Sequence, residues 1–317
     1  MAGFTLGNMV GLLSAPLLMR VFGNSTGPFI AFGLIGLLWL PLWLTSVTAD
    51  PRQHPNLDPA ELAYITGGGY PRTTEGSGVP GRAGRGGGKG GDLPLPAAGP
   101  GPMKAGKASP STRLLPMSVL LRKPAVWANI VGNVVNNWGF FILLSWMPVY
   151  FKKVFGVNLR DAAWFSSGPW AVMAVVGYVA GMIADWMVHD LRMDISTVRK
   201  FMQCLGFLGP AIGLTLLRSA SRPETASLFL TLSLGLSACS QAGFIVNFQD
   251  LGPKHAGLLH GMANTVGTAA GILGTVIAGW LAETTGSFRT VLIVTSIVYA
   301  AGAAFWTSFG TAQQLFD

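Results

Sequence analysis

Two adjacent amides, Asn136 and Asn137, stand in the middle of a long apolar run, where a carboxamide facing lipid is costly. At least one of them therefore faces the interior of a helix bundle. There Asn136 donates hydrogen bonds to an oxyanion, or the pair bonds to neighbouring helices and holds them together; residue types alone leave both readings open. Trp138 and Phe141 flank the same cavity in the first reading and are packing residues in the second. Ser240 with Gln241, and Asn264 with Thr265, are the remaining uncharged polar side chains deep enough in apolar runs to line a pathway. His260 precedes Asn264 at the i, i+4 spacing of neighbours on one helix face. It either relays protons near neutral pH or stands in water at a helix end.

The chemistry on offer is hydrogen bonding by neutral groups. No Ser–His, paired-Asp or His–Glu metal constellation falls within the apolar runs, which argues against an intramembrane enzyme. Cys204 and Cys239 have neither the number nor the spacing of a disulfide framework or a zinc site and read as packing residues.

The elements that position these side chains follow from composition. Half of the 317 residues are hydrophobic and 11% are charged, against roughly 25% charged residues in a soluble domain. The charges cluster between the apolar runs, so the runs are not amphipathic surface helices with one wet face. About eight segments approach the roughly 20 apolar residues needed to span a bilayer. They are Phe4–Met19, Gly27–Thr45, Ala125–Tyr150, Trp164–Met187, Val198–Leu217, Thr225–Val246, Ala256–Leu281 and Thr290–Ser308. The first is short, but it lacks a basic n-region and another apolar run follows at once, so it reads as a span and not as a signal peptide. Segments of this length satisfy their backbone polar groups in lipid only as helices. Pro148, Pro169 and Pro210 are expected to kink or end theirs.

Between the second and third spans lies a polar stretch, roughly Asp50–Lys123, whose centre Gly67–Ser111 is dominated by Gly, Pro, Arg and Lys. It is expected to be disordered. Counting loops alternately gives about 14 Lys and Arg on the side bearing this loop and about 7 on the other. That side is expected to be cytoplasmic or its equivalent, with both termini on it. Arg122 and Lys123, directly before a span, carry more weight than the distant charges. The net charge of +8 and the run from Arg82 through Arg85 to Lys89 suggest an RNA-binding tail, yet a basic loop is what insertion itself requires, and no nucleic-acid partner is implied. Gly86, Gly88 and Gly91 also match a dinucleotide-binding pattern, without the strand and helix it needs.

Three stretches carry a family resemblance: Asn137–Tyr150; Asn247–Gly257 running on to Gly261–Gly271; and Val198–Pro210. They resemble the anion–cation symporter family of the major facilitator superfamily. That group includes sodium–phosphate cotransporters, vesicular glutamate transporters, sialin and plant plastid anion transporters, and the third stretch is most similar to the plant and algal branch. The resemblance implies an all-α membrane protein, a helix bundle whose about eight transmembrane helices match helices five to twelve of a twelve-helix fold. On this basis residues 1–46 hold the last two helices of the N-terminal bundle and 47–123 a cytoplasmic linker. Residues 124–311 form the complete C-terminal six-helix bundle and 312–317 a tail.

The implied activity is transport of a small anion, foremost inorganic phosphate, with sodium or a proton as coupling ion and no cofactor. The implied location is a membrane of the plastid, envelope or thylakoid. Family members are similar in holding the anion with basic residues of helices that precede this chain, and no span here has Lys or Arg at its centre. Asn136 stands where relatives look like having arginine or histidine, and Phe248 replaces a histidine of the family's Asn-His-x-Asp pattern; ascorbate, carboxylates and amino-acid anions therefore stay open. Gly181-Met-Ile-Ala-Asp185 is similar to the superfamily's gating motif. Asp185 is expected to meet the positive N-terminus of the helix starting near Ala256, and Arg199. The chain looks N-terminally truncated, so the alternative is a non-transporting subunit completed by a full-length carrier or by the missing helices. Alone it is expected to move no anion in vesicles.

Overall fold

The computed structural model describes residues 2–48 and 116–316, with isolated positions between 51 and 65. The Gly/Pro/Arg-rich stretch Gly67–Ser111, including Arg82, Arg85 and Lys89, lies outside the described residues. The chain divides into two compact units, residues 1–28 with 112–317 and residues 29–111.

Helix α1 (Ala2–Phe22) opens the larger unit. It ends at Gly23, whose φ of +67° is a left-handed conformation that side chains disfavour. Asn24 Oδ1 closes the turn by accepting from the backbone N–H of Thr26 and Gly27 at 3.1 and 3.0 Å. Helix α2 (Gly27–Ser46) carries the apolar run of the smaller unit, with large side chains such as Phe29 and Leu38 exposed.

The rest of the larger unit consists of long helices. Helix α3 (Pro124–Phe155) begins with proline at its first position and ends at Gly156 in the left-handed conformation. Helix α4 (Leu159–His189) is capped by Asn158, which accepts from Asp161 N. Helix α5 (Ile195–Leu217) is capped in the same way by Asp194, which accepts from Thr197 N. These caps satisfy N–H groups that the first helical turn leaves without partners. Helices α6 (Pro223–Ser237) and α7 (Phe244–Leu251) flank a 3₁₀ turn at Ala238–Gln241, and α8 (Ala256–Thr284) and α9 (Phe288–Phe309) complete the bundle. Pro148, Pro169 and Pro210 all lie inside unbroken helices, so none ends its span.

Seven of the described helical segments are long and apolar enough to cross a membrane, α6 and α7 counted as one, and Leu6–Phe22 is a shorter apolar helix. The chain is a multi-pass membrane protein. Helix α3 packs on α8 and α9, α5 on α9 and α6, and α4 on α6 and α1. The interior holds Trp170, Phe207 and Tyr299, all nearly inaccessible, whereas Tyr178, Val276 and Trp280 stand exposed on the outer faces. Apolar side chains outward as well as inward are what a lipid surround permits and water does not.

The sequence predicts one continuous helix over Thr225–Val246, and the structure corrects this. The chain leaves α-geometry after Ser237, tightens into the 3₁₀ turn, and restarts as α7 at Phe244.

Candidate functional site

A cavity of about 450 Å³ opens within the larger unit between α3, α4, α8 and the broken α6–α7 connection. From α3 it takes Asn133, Asn136, Asn137, Phe140 and Phe141, which share one face by i, i+3 and i+4 spacing. Asn133 is buried, and Asn137 Nδ2 donates to its carbonyl oxygen at 3.0 Å and to its Oδ1. That amide N–H is therefore engaged within α3. Asn136 is half-buried, and its side chain has no hydrogen-bond partner among the described residues.

Helix α8 supplies His260, Asn264 and Thr268, each one turn beyond the last. Its approach to α3 depends on missing side chains. A Cβ at Gly267 would collide with Asn133 Oδ1 and one at Gly271 with the Phe141 ring. One at Gly274 would lie 2.9 Å from Trp138. The glycine stripe is thus a socket for the polar and aromatic side chains of α3. The His260 ring lies half-buried edge-on to Phe248, with centroids 5.0 Å apart. It belongs to the cavity wall and not to water at a helix end.

The third wall is the break itself. Ser237, Gln241, Phe244 and Ile245 line the cavity, and Met173 of α4 faces them. The Gln241 amide lies against Gly177 of α4, where a Cβ would stand 3.1 Å from its Nε2. The broken backbone keeps its hydrogen bonds. Ala242 N donates to Cys239 O and Gly243 N to Ser240 O, both at 3.1 Å, while Phe244 N donates to Gln203 Oε1 of α5 at 2.9 Å. Irregular backbone at membrane depth is tolerated where protein surrounds it or where it lines a cavity, and this segment meets both conditions.

The structure therefore brings together Asn136, Asn137, Phe141, Gln241 and Asn264 and leaves out two expected members. Trp138 packs against Gly274 outside the lining. Thr265 faces outward, its Oγ1 donating to Gly261 O of its own helix at 2.9 Å. Thr268 takes the inward place, because the face set by His260 and Asn264 continues at the next i+4 position. Ser240 is buried behind the wall and accepts from Gln203 Nε2 at 3.1 Å. Asn133, Ser237 and Thr268 are lining residues that sequence reasoning passed over; only Thr268 had a signal, its spacing from Asn264.

At the expected gate the two named residues do not pair with each other among the described contacts. Asp185 is exposed on α4, and Arg199 pairs instead with Asp250 of α7, Nε to Oδ2 at 2.7 Å. Arg199 Nη1 further donates to Ala242 O at 3.1 Å. The α7 end of the chain, rather than α4, offers the carboxylate within reach.

Asn136, Gln241, Asn264 and Thr268 thus converge on one cavity without side-chain hydrogen bonds to any described residue. Among the described residues the lining contains no Lys, Arg, Asp or Glu. Such a wall can orient a polar ligand by donation and acceptance, while the full charge of an anion needs a positive partner from elsewhere.

Residues 1–275 match the model of the Major Facilitator Superfamily. The chain is 41% identical over 315 residues to "Probable anion transporter 3, chloroplastic" of Oryza sativa subsp. japonica, an overlap covering 99% of this chain and 54% of that protein. It is 35% identical over 316 residues to "Ascorbate transporter, chloroplastic" of Arabidopsis thaliana, covering 100% and 51%. To "Sodium-dependent phosphate transport protein 1, chloroplastic" of the same plant it is 34% identical over 316 residues, covering 100% and 54%. The chain spans about half the length of the curated relatives it matches.

Proposed function

We propose that this chain, which belongs to the Major Facilitator Superfamily, forms one wall of the substrate site of a plastid-envelope anion carrier that works by alternating access. The anion is inorganic phosphate, coupled to sodium or a proton. The observation that carries this reading is the cavity itself, where Asn136, Gln241, Asn264 and Thr268 meet from three directions without side-chain hydrogen bonds to other described residues. Its volume is within the range of about 300–1,000 Å³ typical of small-molecule sites, and a discontinuous helix at its edge is a recurrent feature of transporter sites.

In this reading α3–α9, which supply six of the candidate spans, are the C-terminal bundle, and α1 and α2 are the last two helices of the N-terminal one. The cation that balances the substrate comes from the helices that would precede them. Residues 47–123 link the bundles.

A second reading is favoured by the aromatic faces of Phe140, Phe141 and Phe244 in the lining. Phosphate makes little use of apolar rings, whereas an organic anion such as ascorbate or a carboxylate buries carbon against them while its hydroxyls meet the amides.

The test is uptake into vesicles by a chimera that joins this chain behind the N-terminal part of the chloroplastic relative from Oryza sativa. Saturable uptake of labelled phosphate by the chimera and none by the 317-residue chain alone is the expected result. Preference for labelled ascorbate over phosphate selects the second reading. Unchanged KM and maximal rate for both anions in the Asn136→Leu and Gln241→Leu chimeras would remove this cavity from the site.

A further inference from the structure

Gln203 bears on the choice of a broken over a continuous helix between Ser237 and Phe244. In a continuous α-helix Phe244 N–H would donate to the carbonyl of Ser240, four residues back. Here Ser240 O accepts from Gly243 N instead, and the acceptor for Phe244 is the side-chain oxygen of Gln203, one helix away. The same amide donates through Nε2 to Ser240 Oγ. Gln203 is fully buried, so both ends of a costly group are satisfied by this one arrangement.

The surrounding residues make room for it. A Cβ at Gly206 would lie 2.7 Å from Ser240 N, and a Cβ at Gly243 would collide with Gln203 Oε1 and approach its Cβ to 3.0 Å. Proline, the usual cause of a sharp kink, is absent from Ala238–Leu251. The break is therefore held by a side chain from α5, at a glycine, Gly243, whose φ of −90° and ψ of −108° depart from helical geometry.

We propose that Gln203 is a positioning residue of the substrate site: it stands in for the missing main-chain acceptor, holds the α6–α7 connection open, and so keeps Gln241 and Phe244 on the cavity wall. Without it, Phe244 N–H returns to Ser240 O, the helix closes up, and Gln241 turns away from the cavity. The consequence for substrate rests on reading the cavity as a substrate site, but the conformational claim does not.

The experiment uses the full chain in detergent, with Cys204 and Cys239 replaced by serine and a reporter thiol introduced as Gln241→Cys. A charged, water-soluble maleimide reads the exposure of position 241. In the Gln203→Met variant, similar in length but without the amide, the labelling rate is expected to fall about five- to tenfold, the scale of one net hydrogen bond deciding between two conformers. Gln203→Glu, whose protonated carboxyl can both accept from Phe244 N and donate to Ser240, is expected to restore it. Gly243→Ala, which crowds Gln203 and also replaces the glycine of the break by a better helix former, is expected to reproduce the fall. A second reporter, Thr268→Cys on α8, is expected to keep its rate throughout, because a loosened bundle would alter both positions.

Unchanged labelling of position 241 in Gln203→Met or in Gly243→Ala overturns the proposal, as does parallel change at position 268. Since labelling requires no transport, its outcome is separate from that of the uptake experiment. A chimera that fails to carry anion while position 241 responds as described sinks the carrier reading and leaves the role of Gln203 standing.

Discussion

Replacing Arg199 by alanine removes two contacts at once, the ion pair with Asp250 and the hydrogen bond to Ala242 O. The pair is close, with Nε to Oδ2 at 2.7 Å and Nη2 to Oδ1 at 3.5 Å, and its side chains are 12% and 19% exposed. Two unit charges about 4 Å apart attract by about 4 kcal/mol at an effective dielectric near 20. Desolvation offsets part of this, as it does for any pair drawn out of water, but the residual exposure keeps that cost below the fully buried limit. A coupling of about 1–3 kcal/mol remains, above the range of about 0–1 for surface pairs. Arg199→Ala is expected to destabilise by about 2–4 kcal/mol, because Asp250 and the Ala242 carbonyl both lose a donor. The assay is a double-mutant cycle of Arg199→Ala and Asp250→Asn, read by chemical unfolding of the detergent-solubilised protein through tryptophan fluorescence. Asp185→Asn serves as the comparison and is expected to stay within about 0.5 kcal/mol, as an exposed substitution should. A coupling below about 0.5 kcal/mol between positions 199 and 250, or a larger one between 199 and 185, would refute the assignment and restore the gate expected from the motif.

Other expectations follow from the packing. Gly267→Ala and Gly271→Ala drive a methyl group into Asn133 and Phe141, and each is expected to cost about 1–3 kcal/mol, seen as an earlier unfolding transition in the same assay. Phe316 is buried against the cluster that includes Phe248 and Leu251, and its N–H donates to Leu251 O at 3.1 Å; Phe316→Ala is expected to destabilise by about 3 kcal/mol. On α8, Thr268→Val in the uptake chimera is expected to raise KM several-fold while Thr265→Val leaves it unchanged, and equal effects would contradict the face assigned to that helix. Exchange of Thr265 Oγ1 for a methyl costs little, since its one bond is to its own helix backbone.

The spans were legible because lipid imposes one rule along the whole chain, and seven of the eight expected segments lie within single helices. The break was not, because Ala238–Gln241 and Gly243 hold no residue that forbids a helix, and the side chain that bonds the freed Phe244 N–H is Gln203, more than thirty residues earlier in sequence. Local signals carry no trace of a tertiary acceptor. Which polar residues sit deep in a span was legible; which way each faces was not, and Thr265 and Thr268 show the difference. Both lie on α8 near Asn264, but only the i+4 partner of Asn264 reaches the cavity. The segment after α9 carried no apolar periodicity and read as a tail. Yet Ala312 N donates to Ser196 Oγ at 2.9 Å, and Leu315 N and Phe316 N both donate to Leu251 O, at 2.8 and 3.1 Å. Those bonds tie it to the start of α5 and the end of α7, contacts that only the folded bundle creates.

The neutrality of the cavity wall has a consequence for what selection this half can exert. A neutral amide lowers the cost of bringing an anion into the bundle by far less than a guanidinium does, so Asn136, Gln241 and Asn264 contribute little to overall affinity in the proposed reading. Their leverage is on discrimination. A site whose buried donors must be matched rejects a ligand that leaves them unpaired more strongly than it rewards one that fits. Chloride, with no directional acceptors, leaves more of these amides unmatched than phosphate does. Asn136→Leu in the uptake chimera is therefore expected to lower the preference for phosphate over chloride, read by competition, by a larger factor than it raises the phosphate KM. If KM rises while the competition ratio stays fixed, the amide acts as a plain contributor to binding and the division of labour between a charged and a neutral wall is wrong.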